Sequence, residues 1–152
     1  MAIDPVVVGT TLPTTTLTLD SGRLKFFAKA IGETNPVFSD DDAARAAGHP
    51  AIPVPPTFLF AVEMEQPDPF AWLLPLGVDL RFALHGEQRF TYYTPAHAGD
   101  VVTATPRISD VYSKKGGALE FIVKDTTITR ADDVLIAELT SVIVVRTPGA
   151  GQ

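Results

Sequence analysis

The sequence predicts an α+β fold in which a long, curved antiparallel sheet wraps around a central helix. Three observations carry this reading. Prolines crowd the first two thirds of the chain and become rare after Pro106, where β-branched residues take over. Short segments with helical spacing occupy the early region, whereas long stretches after Leu80 follow the periodicity of strands. Between them, Phe58-Leu59-Phe60-Ala61-Val62 is apolar nearly all round. Such a helix must be buried, and a helix laid on a sheet is one of the few stable layer arrangements.

The elements follow in order. Thr15 to Leu19 reads as a short opening strand. Asp20 or Ser21 then caps a helix in which Leu24, Phe27, Ala28 and Ile31 share one face, with Gly32 as its stop. Asp40, Asp41 and Asp42 follow Ser39 and suit the positive end of a second short helix, Ala43 to Ala47, closed by Gly48. The central helix is expected from Pro56 to about Glu65, ended by Pro67. Strands are expected over Gln88 to Thr94, Val101 to Val111, Leu119 to Arg130 and Val134 to Arg146. Lys114 to Gly117 and Ala131 to Asp133 supply the turns. Leu119, Phe121 and Val123 are expected to face the core, with Glu120 and Lys124 in water. The last strand is apolar on both faces, which a lone sheet would leave exposed at its edge, so an oligomer is expected. One domain over residues 1–147 and a flexible tail at 148–152 complete the layout.

Composition narrows the function. The 152 residues are 45% hydrophobic and carry a formal charge of −6 without a basic run, which disfavours nucleic acid and anionic membrane as partners. The absence of cysteine removes disulfides, thiolate nucleophiles and cysteine-bound metals. No stretch approaches the roughly 20 apolar residues of a membrane helix, and Met1 to Pro5 lacks a signal pattern, so a cytoplasmic protein is expected. His49, His85 and His97 share no metal-ligand spacing, and His49 and His97 read as exposed loop residues, so no metal is expected. Neither a glycine-rich phosphate loop nor a nucleophile elbow is present, and no cofactor is expected.

Gly32-Glu33-Thr34-Asn35-Pro36-Val37-Phe38, with Ala43-Ala44 beyond, resembles the hydratase signature of MaoC-like proteins, written G-D-x-N-P-aliphatic-H. Pro53-Val54-Pro55-Pro56-Thr57-Phe58 stands where that family begins its central helix. Leu84-His85-Gly86-Glu87-Gln88-Arg89-Phe90, followed by Pro95 and Ala98-Gly99-Asp100, is similar to the family's N-terminal-domain type. These landmarks, in order, span most of the chain. The resemblance implies a hot-dog fold, dimerisation through the sheet and a tunnel for acyl-CoA or acyl-carrier-protein (ACP) thioesters. It also implies the reaction, exchange of a (3R)-hydroxyacyl thioester with its trans-2-enoyl partner by loss or gain of water.

Two departures bear on that chemistry. Where the family places Asp and His, this chain has Glu33 and Phe38. A phenylalanine carries no proton, and the extra methylene of Glu33 displaces its oxygens by about an ångström, enough to matter in positioned catalysis. Where the family often presents a glycine N–H to the thioester oxygen, the chain has Pro56 or Thr57, and proline has no N–H. The implied substrate-binding residues are Asn35, Phe38, Pro56, Thr57 and Phe58. The candidate catalytic residues are Glu33 and, as a replacement dyad, His85 with Glu87, whose spacing puts both on one face of a strand that already includes them.

Each residue also has a plainer reading. Asn35-Pro36 is an Asx-type turn that shapes the loop. Glu33 is a helix-end carboxylate, Phe38 a packing residue, His85 a turn contact and Glu87 one half of a surface ion pair. Of Tyr92 and Tyr93, one should point into the core or an interface and the other toward solvent or ligand. Phe70, Trp72 and Leu73-Leu74 cap the tunnel mouth or pad the sheet. Three functions remain open: an acyl-thioester-binding subunit completed by a His-bearing MaoC-like partner, a self-sufficient homodimeric hydratase using Glu33 with His85 or Glu87, and a non-enzymatic acyl-thioester-binding module. A hot-dog thioesterase rests on fold analogy alone.

Overall fold

The computed structural model describes residues 3–147, so the expected tail at 148–152 lies outside the described residues. Asp20 caps α1 (Ser21–Ala30) by accepting from the Arg23 N–H at 2.9 Å. Leu24 and Ala28 are buried beneath α1, but Ile31 falls at the C-cap and is exposed, contrary to the expected four-residue face. α2 runs Asp41–Ala46, starting two residues earlier than expected because Asp40 is the cap; its carboxylate accepts from the Asp42 and Ala43 N–H groups.

The central helix occupies Pro56–Glu65 as expected and is wound as a 3-10 helix. Phe58, Leu59 and Val62 bury themselves against the sheet. That sheet is antiparallel and five-stranded, comprising β1 (Thr15–Thr18), β2 (Ala83–Tyr92), β3 (Val101–Lys114), β4 (Leu119–Arg130) and β5 (Leu135–Arg146) in the order β1-β3-β4-β5-β2. β2 starts at Ala83 rather than Gln88, and β3 reaches Lys114 rather than Val111. β5 is not an edge. It pairs with β4 on one side and β2 on the other, and this accounts for its two-sided apolar character.

β4 is turned the opposite way from the expected face. Glu120, Lys124 and Thr126 point inward and are buried, alternating with Ile122 and Ile128, while Leu119, Phe121 and Val123 are half-buried on the outer face. The outer face is stabilised by aromatic stacking: Phe121 lies 4.7 Å from Tyr112 with rings 6° apart, and the Lys114 ammonium sits over both. Each inward polar group has a partner, as burial requires. Glu120 accepts from the Ile3 N–H at 2.7 Å. Lys124 donates to Glu63 of the central helix, whose other carboxylate oxygen accepts from Thr126 at 2.5 Å.

His49 and His97, expected as exposed loop residues, meet instead. Their Nδ1 and Nε2 atoms are 3.1 Å apart, and both residues are partly buried. Beside them, Val54 donates to the Ala96 carbonyl and Ala98 to the Ile52 carbonyl, tying the approach to the central helix onto the β2–β3 loop. Burial, followed by the neighbouring His49 and with Arg130 against Asp100, holds the His97 pKa below its ordinary 6.5.

Two expectations follow for stability. Lys124→Ala leaves the Glu63 carboxylate buried and unpaired and should lower the unfolding free energy by about 3–5 kcal/mol in urea titrations, whereas Lys124→Met combined with Glu63→Gln should change it by about 1 kcal/mol or less. A depressed folded-state pKa means that the contribution of His97 is fully present above its ordinary value and is lost as pH falls from there toward the folded value. Replacing His97 by Gln should therefore flatten stability below about pH 6.5; parallel curves for the two proteins would contradict the assignment.

Candidate functional site

The loop after α1 is built by its own polar groups. Gly32 stops the helix at a φ of +74°, a left-handed conformation that suits glycine. The exposed Glu33 carboxylate accepts from the Asn35 N–H at 2.8 Å, and Asn35 in turn caps the turn Pro36–Phe38 by accepting from Val37 at 3.1 Å. Phe38 is half-buried and packs against the main core. The loop thus presents no proton carrier beyond a solvated carboxylate bonded to its own backbone.

The other expected binding residues divide. Pro56 and Thr57 are exposed at the start of the central helix, with Pro56 lining a cleft of about 380 Å³ beside Tyr92, Tyr93 and Ala96. Phe58 turns into the core and meets Phe27 edge-on at 5.3 Å. Neither tyrosine lies in the core, which leaves an interface as the place for the one expected to be covered: Tyr92 and Tyr93 are 49% and 52% exposed. Tyr92 stacks on Phe90, and burial raises its pKa. The Tyr93 hydroxyl donates to Glu138 at 2.6 Å, and that bond raises its pKa in turn.

His85 and Glu87 are not brought together. Gly86 forms a bulge, so His85 pairs with Ile143 and Glu87 with the next residue, Val142, which sends the two side chains to opposite faces. A Cβ on Gly86 would lie 2.6 Å from the Val144 side chain, so glycine makes the bulge possible. Glu87 accepts from Arg89 at 3.0 Å on the outer face. His85 Nε2 lies 3.2 Å from the Gln88 side-chain oxygen on the inner one.

On that inner face lies a cavity of about 430 Å³, walled by Phe60 and Met64 of the central helix, by Phe70, Trp72 and Leu73, and by Leu84 and Ile143 of the sheet. Trp72 both lines the cavity and covers the Lys124 ammonium at 5.5 Å. Its polar lining is His85, Lys124 and Ser141. Ser141 donates to Gln88 Oε1 at 2.6 Å. Of these groups, sequence reasoning singled out only His85. The signal for the rest was a lone Glu63 within an apolar run and the polar alternation Lys124, Thr126 along β4. Chemically, the cavity can take a long apolar group; the loop offers no buried acid–base pair, and at the helix start Pro56 has no N–H whereas Thr57 has one.

Comparison with known proteins agrees with this architecture. The family model for the FAS1-like, dehydratase domain region matches residues 6–139. A UPF0336 protein of Streptomyces griseus subsp. griseus is 35% identical over 145 residues, covering 94% of this chain and 95% of that protein. The C-terminally truncated HadBC (3R-hydroxyacyl-ACP dehydratase) complex of Mycobacterium tuberculosis superposes with a TM-score of 0.75 at 22% identity, over 91% of this chain and 96% of that one. A MaoC-like dehydratase superposes with a TM-score of 0.81 at 19% identity, covering 93% of this chain and 43% of the other. The chain belongs to the FAS1-like dehydratase domain family, with UPF0336 proteins among its relatives and the hot-dog fold of MaoC-like hydratases and dehydratases as its scaffold.

Proposed function

We propose that this chain is the acyl-thioester-binding subunit of a (3R)-hydroxyacyl-CoA or acyl-ACP dehydratase or enoyl hydratase, and that a His-bearing MaoC-like subunit supplies the proton transfer. The observation that carries the reading is the contrast between an intact apolar cavity and a loop whose terminal ring, Phe38, is packed into the core. Exchange of 3-hydroxyacyl and enoyl thioesters moves one proton at C2 and another at the 3-oxygen, and it builds negative charge on the thioester oxygen. Phe38 moves no proton, Pro56 donates no hydrogen bond, and the Glu33 carboxylate is held by Asn35 in solvent. What this chain's residues do in the reaction is hold the acyl group in the cavity and exclude water from it.

The sheet leaves room for a partner. Among the described residues β2 pairs only with β5, so its other side presents backbone N–H and C=O groups, flanked by the exposed Leu84, Tyr92 and Tyr93. HadBC, to which the chain is structurally similar, is itself a complex. The bulge at Gly86 parts His85 from Glu87, so a self-sufficient hydratase would have to pair Glu33 with one of them alone.

Complementation tests the proposal. Mixing the chain with His-bearing MaoC-like subunits of the same organism should create crotonyl-CoA hydration at least about 100-fold above either protein alone, the scale of general acid–base catalysis. Glu33→Gln should leave that joint activity within about threefold, since the loss of a working acid or base costs at least about 100-fold. Failure with every such subunit would contradict the proposal, as would hydration by the lone chain that His85→Ala abolishes.

A further inference from the structure

The cavity is apolar except along one strip, and the hydrogen-bond directions of that strip are determined. Gln88 Oε1 can only accept, so it fixes the Ser141 hydroxyl hydrogen upon itself at 2.6 Å and selects the His85 tautomer protonated at Nε2, 3.2 Å away. Ser141 therefore turns lone pairs toward its surroundings, and His85 is left with Nδ1 as an acceptor. Lys124, the cross-strand partner of Ser141, is the donor. One of its N–H groups goes to Glu63, and no acceptor among the described residues takes the other two. The Lys124 side chain is 6% exposed, and that of Glu63 is 5% exposed.

This arrangement is ill suited to a plain hydrocarbon chain. Filling the cavity with methylenes leaves the Lys124 N–H groups that no described acceptor takes facing hydrocarbon, with only the Trp72 ring at 5.5 Å against the ammonium, and buried polar donors do not tolerate this well. An added carboxylate is also disfavoured, because Glu63 already neutralises Lys124 and a second anion would be buried without a counter-charge. A neutral oxygen fits both constraints. A hydroxyl accepts from Lys124 and can donate onward to Ser141 or His85, and a ketone satisfies the Lys124 donor alone.

We infer that the cavity selects acyl chains bearing a neutral oxygen substituent, a hydroxyl or ketone, beyond the reacting carbons, with Lys124 as the recognising donor and Ser141 and His85 as acceptors. The inference rests on the acyl-binding role proposed above and adds the substrate class. Lys124, Ser141 and His85 are specificity residues and take no part in proton transfer at C2 or the 3-oxygen.

Calorimetric titration of the full chain tests it, using dodecanoyl-CoA against the same chain carrying a hydroxyl or ketone at successive carbons beyond C3. At least one oxygenated chain should bind about tenfold or more tighter than dodecanoyl-CoA, a factor in keeping with one desolvated hydrogen bond. Lys124→Met combined with Glu63→Gln, which retains an acceptor for Thr126, should erase the preference, read as the ratio of oxygenated to plain-chain affinity in the same variant. Ser141→Ala, a milder change, should reduce the preference for the hydroxyl more than that for the ketone. Equal binding of plain and oxygenated chains by the unaltered protein overturns this inference and leaves the acyl-binding role intact. Binding of none of them overturns both.

Discussion

The bond between Glu63 of the central helix and Lys124 and Thr126 of β4 is the constraint on which the rest of the structure depends. Both charges are almost completely buried, so each is tolerable only while the other is in place. That requirement sets which face of β4 looks inward. A one-residue slip would turn Lys124 outward, strand Glu63 without a partner and move Leu119, Phe121 and Val123 to the inner face. The same bond ties the helix to the sheet, and Lys124, capped by Trp72, then forms one wall of the cavity. Packing, register and the shape of the binding site are settled together.

Under the proposed division of labour, this chain needs no proton carrier of its own. Holding a flexible acyl chain and moving protons are separable tasks, and a hot-dog sheet with an open β2 edge allows them to lie on different chains. In the loop Gly32–Phe38, Asn35 and Pro36 shape the turn whatever follows them. Phe38, at its end, packs against the main core. Fold alone does not assign an activity, so the functional reading rests on this loop and the cavity rather than on the scaffold they share with other proteins.

Much of the fold was legible in the sequence because its signals are local. The Asp20 cap, the Gly32 stop, the span of the central helix and the two turns flanking β4 are all read from neighbouring residues. What was not legible depended on distant partners. The alternation along β4 is clear, but its polarity inverts because Glu63, far away in sequence, supplies an inward charge for Lys124. His49 and His97 read as separate loop residues and meet only when the segments around Ile52 and Ala98 pair. His85 and Glu87 have the right spacing for one face, and the bulge at Gly86 parts them; their sequence offers glycine but not the register. Phe58, drawn into the core by Phe27, shows how a motif position can serve the scaffold rather than the ligand.

Trp72 is the chain's single tryptophan and lines the cavity, so its fluorescence reports on occupancy while enoyl absorbance reports on chemistry in the same sample. Adding a medium-chain trans-2-enoyl-CoA to the isolated protein should give a saturable change in tryptophan emission with no consumption of the double bond. A flat emission signal, or steady loss of the enoyl absorbance without any second subunit, would contradict the division between holding the substrate and transforming it.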